Sequence, residues 1–401
     1  MKTLVLGAGL VGGPMAIDLS KETDFDVTIV DRDLDALARL NGSRSKIKTV
    51  QKDLSDPETV RNLASGFDLV LNAVPGFMGY RTLRAIIEAG KNVVDIAFYS
   101  EDPFELDELA KENGVTAIVD CGVAPGMSNL LVGHVDAMLD RTESVLIYVG
   151  GLPEIRRWPF EYRAVFSPID VLAEYTRPAR YVENGVLVTR EALSDPEIID
   201  FPGIGSLEAF NTDGLRTLAT TIDAPNMKEK TLRYQGHIEK MAVLRAAGYF
   251  SEQEIEVQGT FIRPIDVTAA LMFPQWKMEE GEVDITVMQI IVEGHKDGAR
   301  QRHVYDLLDR YDPVTGTHSM ARTTGYAATV AGRLIAAGLY GQPGIAPLEL
   351  VGRNPSCVQF MLNGLEERGI VFDHHVDMET GVRFISGQGQ GRTPVAGGRL
   401  S

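Results

Sequence analysis

Gly7-Ala8-Gly9-Leu10-Val11-Gly12 sets three glycines at the spacing GxGxxG, directly after the apolar run TLVLGA (3–8) and at the start of a helical pattern. Residues of this type in this context suit one task, the binding of a pyrophosphate. The first glycine permits the tight turn, the second lets backbone approach the phosphates, and the third brings the helix close to the sheet. Free N–H groups at the helix start then face the anion. Asp31 ends the next apolar run, nineteen residues after Gly12, where a carboxylate accepts hydrogen bonds from the adenosine ribose. A 2′-phosphate would meet that charge, so NAD is expected ahead of NADP, with Arg32 placed to stack on adenine or turn toward a phosphate. Asp53 and Leu54 follow the third run, at the adenine side. Asn72, Ala73, Val74 and Pro75 end the fourth run, Asp95 lies in the fifth, and Gly122, Val123, Ala124 and Pro125 follow the sixth; all are expected near the nicotinamide half.

These residues need a particular scaffold. Apolar runs at 3–8, 26–31, 47–50, 68–74, 92–97 and 116–120 alternate with amphipathic segments, the pattern of parallel strands joined by covering helices. Asp56-Pro57-Glu58 reads as a helix start, and Gly90 and Gly114 as helix stops. The expected fold class is α/β, a Rossmann doubly wound parallel sheet over residues 1–121. It is followed by an α+β substrate and oligomerisation domain with a largely antiparallel sheet over 122–318. In that second region 144–151, 254–264, 283–298 and 300–309 read as long strands, and 168–176, 236–247 and 265–273 as helices. Residues 319–385 read as a helical segment packing back on the first domain, and 386–401 as an aperiodic tail.

Length and charge narrow the function. A chain of 401 residues is long enough for two cores. Its 39 Lys+Arg against 56 Asp+Glu give a formal charge of −17, which argues against nucleic acid or an anionic membrane as partner. Two distant cysteines, Cys121 and Cys357, and the lack of a leader pattern or an apolar run of membrane length fit a reducing cytoplasm. His374-His375 is a poor metal pair, because adjacent side chains diverge and no third ligand is spaced nearby, so no metal is expected.

With the glycine motif, NAVP, EAGKNVVD, VDCGVAPGMSN, YVGGLP, SLEAFNTDG and TLRYQGHIEK in this order, the chain resembles the saccharopine dehydrogenase-like family over residues 1–340. Within that family it is most similar to the L-lysine 6-dehydrogenases, through the GVAPGM turn, EYRAVFS (161–167), SLEAF and the MARTT helix (320–324). The resemblance implies a homodimer or higher homo-oligomer that oxidises the ε-amine of lysine with NAD, giving the semialdehyde, ammonia and NADH. Saccharopine reductases usually carry an acidic residue in the turn, where this chain has Ala124, so that residue's role does not transfer.

Oxidising an amine requires a neutral nitrogen and a base near working pH. His237, after Gly236 at a strand-to-helix junction, is the expected base, with Lys91 as an alternative proton shuttle. Glu161 and Tyr162, then Glu208 and Asp213, are candidates to hold a substrate ammonium, and Arg233 and Arg322 a substrate carboxylate. Two other readings stay open: a saccharopine or opine-type reductase, which should show a second carboxylate-binding arginine pair, and a non-catalytic cofactor-binding protein.

Overall fold

A computed structural model of the chain describes residues 1–41, 46–279, 281–378 and 383–385. The first six apolar runs become β1 (Lys2–Leu6), β2 (Asp26–Asp31), β3 (Lys48–Gln51), β4 (Leu69–Asn72), β5 (Asn92–Asp95) and β6 (Thr116–Val119), all parallel. Their spatial order is 6-5-4-1-2-3, a doubly wound sheet. Side chains alternate between its faces. Leu4 and Leu6 pack with Ile86 and Ile87 of helix Gly76–Glu88, whereas Val5 packs with Met15 and Leu19 of helix Gly12–Ser20. Because both faces are covered, the strands read as continuous apolar runs rather than alternating ones. Asp56 caps helix Pro57–Ala64 by accepting from the backbone N–H groups of Glu58 and Thr59 at 3.2 and 3.1 Å.

A seventh parallel strand, Gly344–Pro347, pairs with β6. Its four residues end in proline, which only an edge strand tolerates, and this composition hides it from pattern reading.

The second sheet is mixed and mostly antiparallel. Its centre is β7 (Arg141–Pro153), paired antiparallel with Asp284–Lys296 and parallel with Asn226–Tyr234. Ala299–Arg310 extends one side, and Gly205–Asn211 and Glu197–Phe201 the other. The expected long strand at 254–264 is instead a separate hairpin, Ile255–Val257 with Thr260–Ile262. Gln258 and Gly259 both take positive φ, 50° and 82°, which reverses the chain in two residues.

Residues 319–385 do more than lie on the first domain. Helix Ser319–Ala336 does rest on helix Gly12–Ser20, and a Cβ on Gly325 would lie 3.0 Å from Met15 Cγ, so the contact needs a small residue there. Burial works against ionisation of Asp18 at this contact, but Arg333 and Arg368, each 2.9 Å away, hold its carboxyl below the usual value. Beyond the helix the chain adds Gly344–Pro347 to the first sheet and Asp373–Met378 to the second. The segment is therefore a double crossing that ties the two sheets together. The tail expected over 386–401 lies outside the described residues. Among those described, no helix is long and apolar enough to cross a membrane.

Candidate active site

At the carboxyl edge of the parallel sheet, the turns after β1, β4 and β6 meet the second sheet across a cleft of about 430 Å³. Gly7 turns the chain at φ 96°, and a Cβ there would lie 2.6 Å from the Ala73 carbonyl oxygen. One on Gly12 would lie 2.1 Å from the oxygen of Gly7. Gly9 differs: a Cβ added to it meets nothing within 4 Å. The loop is thus closed against its own fold and open only toward the cleft, the shape required to admit a pyrophosphate. Asp31 lines the same cleft and ties the loop to β2, its Oδ2 accepting from the Ala8 N–H at 2.6 Å. Glycine loop, helix N-terminus and terminal carboxylate together fit a dinucleotide.

After β6 the turn Gly122–Gly126 closes on itself. The Gly122 N–H donates to the Pro125 carbonyl at 3.0 Å, and Met127 N–H donates back to Gly122 at 2.9 Å. Gly126, at φ 142°, has no room for a Cβ, which would fall 1.9 Å from the Gly122 oxygen. Val123, Ala124 and Pro125 face the cleft and bring no charge to it.

The opposite wall is charged. Strand Asn226–Tyr234 contributes Glu229, Thr231 and Arg233, and helix Pro168–Thr176 contributes Asp170 and Glu174. Arg177 follows that helix. Arg233 is fully engaged: Nη2 donates to Glu174 at 2.6 Å, Nε to the Tyr175 hydroxyl at 3.2 Å and Nη1 to the Leu232 carbonyl at 2.9 Å. Asp213 is likewise held by Arg180 through two bonds of 2.8 Å. Arg177 is not. It stacks over the Phe98 ring at 4.5 Å, its Nη2 reaches the Phe98 carbonyl at 3.4 Å, and its buried Nη1 has no partner.

Two family models match this chain. "Saccharopine dehydrogenase NADP binding domain" matches residues 3–118, and "Saccharopine dehydrogenase C-terminal domain" matches residues 122–370. The chain belongs to the saccharopine dehydrogenase family. Among similar family proteins is saccharopine dehydrogenase [NADP(+), L-glutamate-forming] of Pyricularia oryzae, 24% identical over 86% of this chain and 93% of that one. Carboxyaminopropylagmatine dehydrogenase of Synechocystis is 25% identical over 92% of this chain and 98% of its own length. In fold, the chain matches the solved saccharopine dehydrogenase (L-Glu forming) of Saccharomyces cerevisiae with a TM-score of 0.75, covering 94% of this chain and 99% of that one at 20% identity. Pyridine-nucleotide binding accordingly follows from the family, and the cleft is the candidate site for it.

Of the residues singled out in the sequence, Gly7, Gly9, Leu10, Val11, Gly12, Asp31, Ala73, Val74, Pro75, Gly122, Val123, Ala124, Pro125, Asp213 and Arg233 line this cleft. The two candidate proton carriers do not. His237 is wholly buried among Tyr162, Tyr175 and Trp276. Its Nδ1–H donates to the Phe160 carbonyl at 2.6 Å and its Nε2 accepts from the Tyr175 hydroxyl at 2.9 Å. Burial pushes it down to about 3, leaving a neutral ring that braces the wall. Lys91 precedes β5 at the amino edge of the sheet. Four strand residues, roughly 13 Å, separate it from the edge where ligands bind.

The remaining candidates are also seated elsewhere in this family member. Arg322 pairs with Asp309 and Asp312 at 3.2 and 3.3 Å. Glu208 accepts from the Gly236 N–H at 3.2 Å, and Glu161 lies 4.0 Å from Arg156. Tyr162 is buried beneath Arg233. Arg32 and Asp53 are exposed, and Leu54 is core. Sequence reading passed over Asp120, Asp170, Glu174, Arg177 and Glu229, because acids and arginines scattered over three segments carry no spacing signal. Asp120 alone had a trace, standing at the end of β6 beside the turn. It takes φ 50° and pairs with buried Arg216 at 3.1 Å.

Asn72 and Asp95 lie beneath the cleft, joined at 3.1 Å and fully buried. Burial pushes the Asp95 carboxyl up from 3.8 to about 8. Between those values the folded chain keeps a proton that the unfolded chain has lost. Stability from this group is therefore full below the unfolded value and falls as pH rises to about 8, by roughly 1.4 kcal/mol per unit. Asp95→Asn keeps an oxygen to accept from Ala97 N–H and Asn72. It should flatten this part of the profile and melt above wild type at pH 8.5, read by thermal unfolding from pH 5 to 9. An unchanged profile would show that Asp95 is ionised in the fold.

Proposed function

We propose that this family member oxidises the terminal amine of a diamino acid, L-lysine fitting best, with NAD, to give 2-aminoadipate 6-semialdehyde, ammonia and NADH. One observation carries the reading: of the two arginines that line the cleft, Arg233 is fully engaged while Arg177 has a buried nitrogen without a partner among the described residues. A single free guanidinium suits a substrate with a single carboxylate. Asp170 and Asp213 act on Arg177 through their charges, so cation and anions together suit the zwitterionic end of an amino acid. Glu174 and Arg233 neutralise each other, so Arg233 does not serve as the second arginine of an opine-type pair.

When bound, the nicotinamide supplies the hydride acceptor. Gly7, Gly9 and Gly12 hold the pyrophosphate, Asp31 the adenosine ribose, and the uncharged turn Val123-Ala124-Pro125 excludes water from the reacting end. Arg177 fixes the substrate by the end remote from the chemistry, which places its distal carbon without charge at the reacting centre.

NADH formation at alkaline pH, with lysine, ornithine, saccharopine and simple diamines compared, tests the substrate. No turnover of lysine above the blank overturns it. The saccharopine reading is the second one, favoured by the saccharopine dehydrogenases among the similar proteins, and turnover of saccharopine above lysine selects it.

The choice of NAD rests on Asp31, whose carboxylate would repel a 2′-phosphate, against the NADP named in the family model and in the Pyricularia relative. Asp31→Ser beside Arg32 is expected to move the ratio of kcat/KM for NAD over NADP by about 10-fold or more toward NADP, about 1.4 kcal/mol. A wild-type protein that already favours NADP removes the proposal.

A further inference from the structure

We infer that Glu229 takes the proton from the substrate ammonium before hydride transfer, an assignment that rests on the amine reading above. The other acids of the cleft are committed. Asp120, Glu174 and Asp213 each pair with an arginine, at 3.1, 2.6 and 2.8 Å. Asp170 is held at Oδ1 by the Gly76 N–H at 3.3 Å, at the start of helix Gly76–Glu88, with burial raising its carboxyl and the Gly76 bond opposing. Glu229 pairs with no arginine among the described residues. It lies on the inner side of strand Asn226–Tyr234, only 4% exposed yet on the cleft wall.

The carboxyl is held by one oxygen. Oε2 accepts from the Thr212 hydroxyl at 2.5 Å and from Gly214 N–H at 3.1 Å, while among the described residues Oε1 has no hydrogen bond. Gly214 makes the room: a Cβ there would lie 2.2 Å from Oε2 and displace the group. Thr212 is in turn 2.8 Å from the Thr231 hydroxyl, so the acid is fixed by a short chain of neutral hydroxyls. A carboxyl anchored at one oxygen by neutral donors, with the other oxygen free toward the cleft, is arranged to exchange a proton with a bound ligand.

The step balances simply. An N–H bond of the ammonium breaks, an O–H bond forms at Oε1, and the electron pair stays on nitrogen, where it assists departure of hydride from the adjacent carbon. Ionised Glu229 is required for this. Burial pushes its carboxyl up to about 8, the charges of Glu174 and Asp213 adding to it and the Thr212 and Gly214 donors opposing. Lys228 and Lys230, which flank it in sequence, are turned to Glu183 at 3.8 Å and Glu197 at 2.6 Å and do not offset this. Oxidation should therefore switch on as pH rises through about 8.

The test compares wild type with Glu229→Gln and Thr212→Val. For wild type, kcat for the amine should rise with pH along a limb near 8. Glu229→Gln should lower kcat by about 100-fold or more and abolish that limb. Thr212→Val removes a donor that favours the anion and should move the limb to higher pH. A readout independent of turnover is the infrared stretch of a protonated carboxyl titrating near pH 8, which Glu229→Gln should remove and Asp95→Asn should leave in part. Dinucleotide affinity of each variant checks its folding. An unchanged limb and kcat in Glu229→Gln, or a protonated band untouched by it, overturns the assignment. If wild type ignores lysine but turns over another amine, the lysine reading falls and Glu229 is judged on that amine. No turnover with any amine overturns both.

Discussion

Gly9→Ala is expected to leave the fold intact and to weaken dinucleotide binding by about 100-fold or more. The added methyl meets no protein atom within 4 Å, so unfolding free energy should change by no more than about 0.5 kcal/mol. It occupies instead the space through which backbone approaches the pyrophosphate. Two charge-assisted hydrogen bonds lost at about 1.5–3 kcal/mol each account for the size of the effect. Gly12→Ala is the contrast, since its methyl would strike the Gly7 carbonyl at 2.1 Å and should cost both stability and binding. Thermal unfolding paired with fluorescence titration of NADH separates the two outcomes. Wild-type affinity in Gly9→Ala would mean that the pyrophosphate does not cross this loop.

The second large effect belongs to Arg177→Met, which keeps a side chain over the Phe98 ring but removes the free guanidinium. Breaking a buried charge-assisted pair with the substrate carboxylate costs about 2–5 kcal/mol, so kcat/KM for lysine should fall by about 30-fold or more. The sharper measurement is selectivity. Wild type should prefer lysine to 1,5-diaminopentane, which lacks the carboxylate, and in Arg177→Met that preference should collapse because only lysine loses a contact. A variant that still prefers lysine by the wild-type ratio would place the carboxylate elsewhere and reopen the opine-type reading.

Both predictions concern the same cleft, but they were reached differently. Gly9 was legible because a dinucleotide loop is local: three glycines, the strand before them and the helix after them are contiguous, and each residue's task follows from its neighbours in the chain. Arg177 was not, because nothing in TRPAR marks one arginine as unpaired. Its partnerlessness is a property of what Asp213, Arg180 and Glu174 do with their own bonds, and those residues lie on separate segments. His237 shows the opposite failure. A histidine after a glycine at a helix start looks poised for a cleft, yet the helix enters the wall with that residue inward, and Phe160 and Tyr175 satisfy both ring nitrogens.

By itself the sequence determined the parallel sheet, its glycine loop and Asp31, the uncharged turn after β6 and the family likeness, because short-range periodicity and contiguous motifs encode them. Tertiary structure alone decided that a four-residue strand from the far end of the chain closes the sheet at its edge, and that residues 254–264 turn back as a hairpin. It also decided which acids and arginines of the second domain meet in the cleft. Charge pairing and desolvation act between residues distant in the chain, so only the folded arrangement separates the committed Glu174 and Arg233 from the uncommitted Glu229 and Arg177.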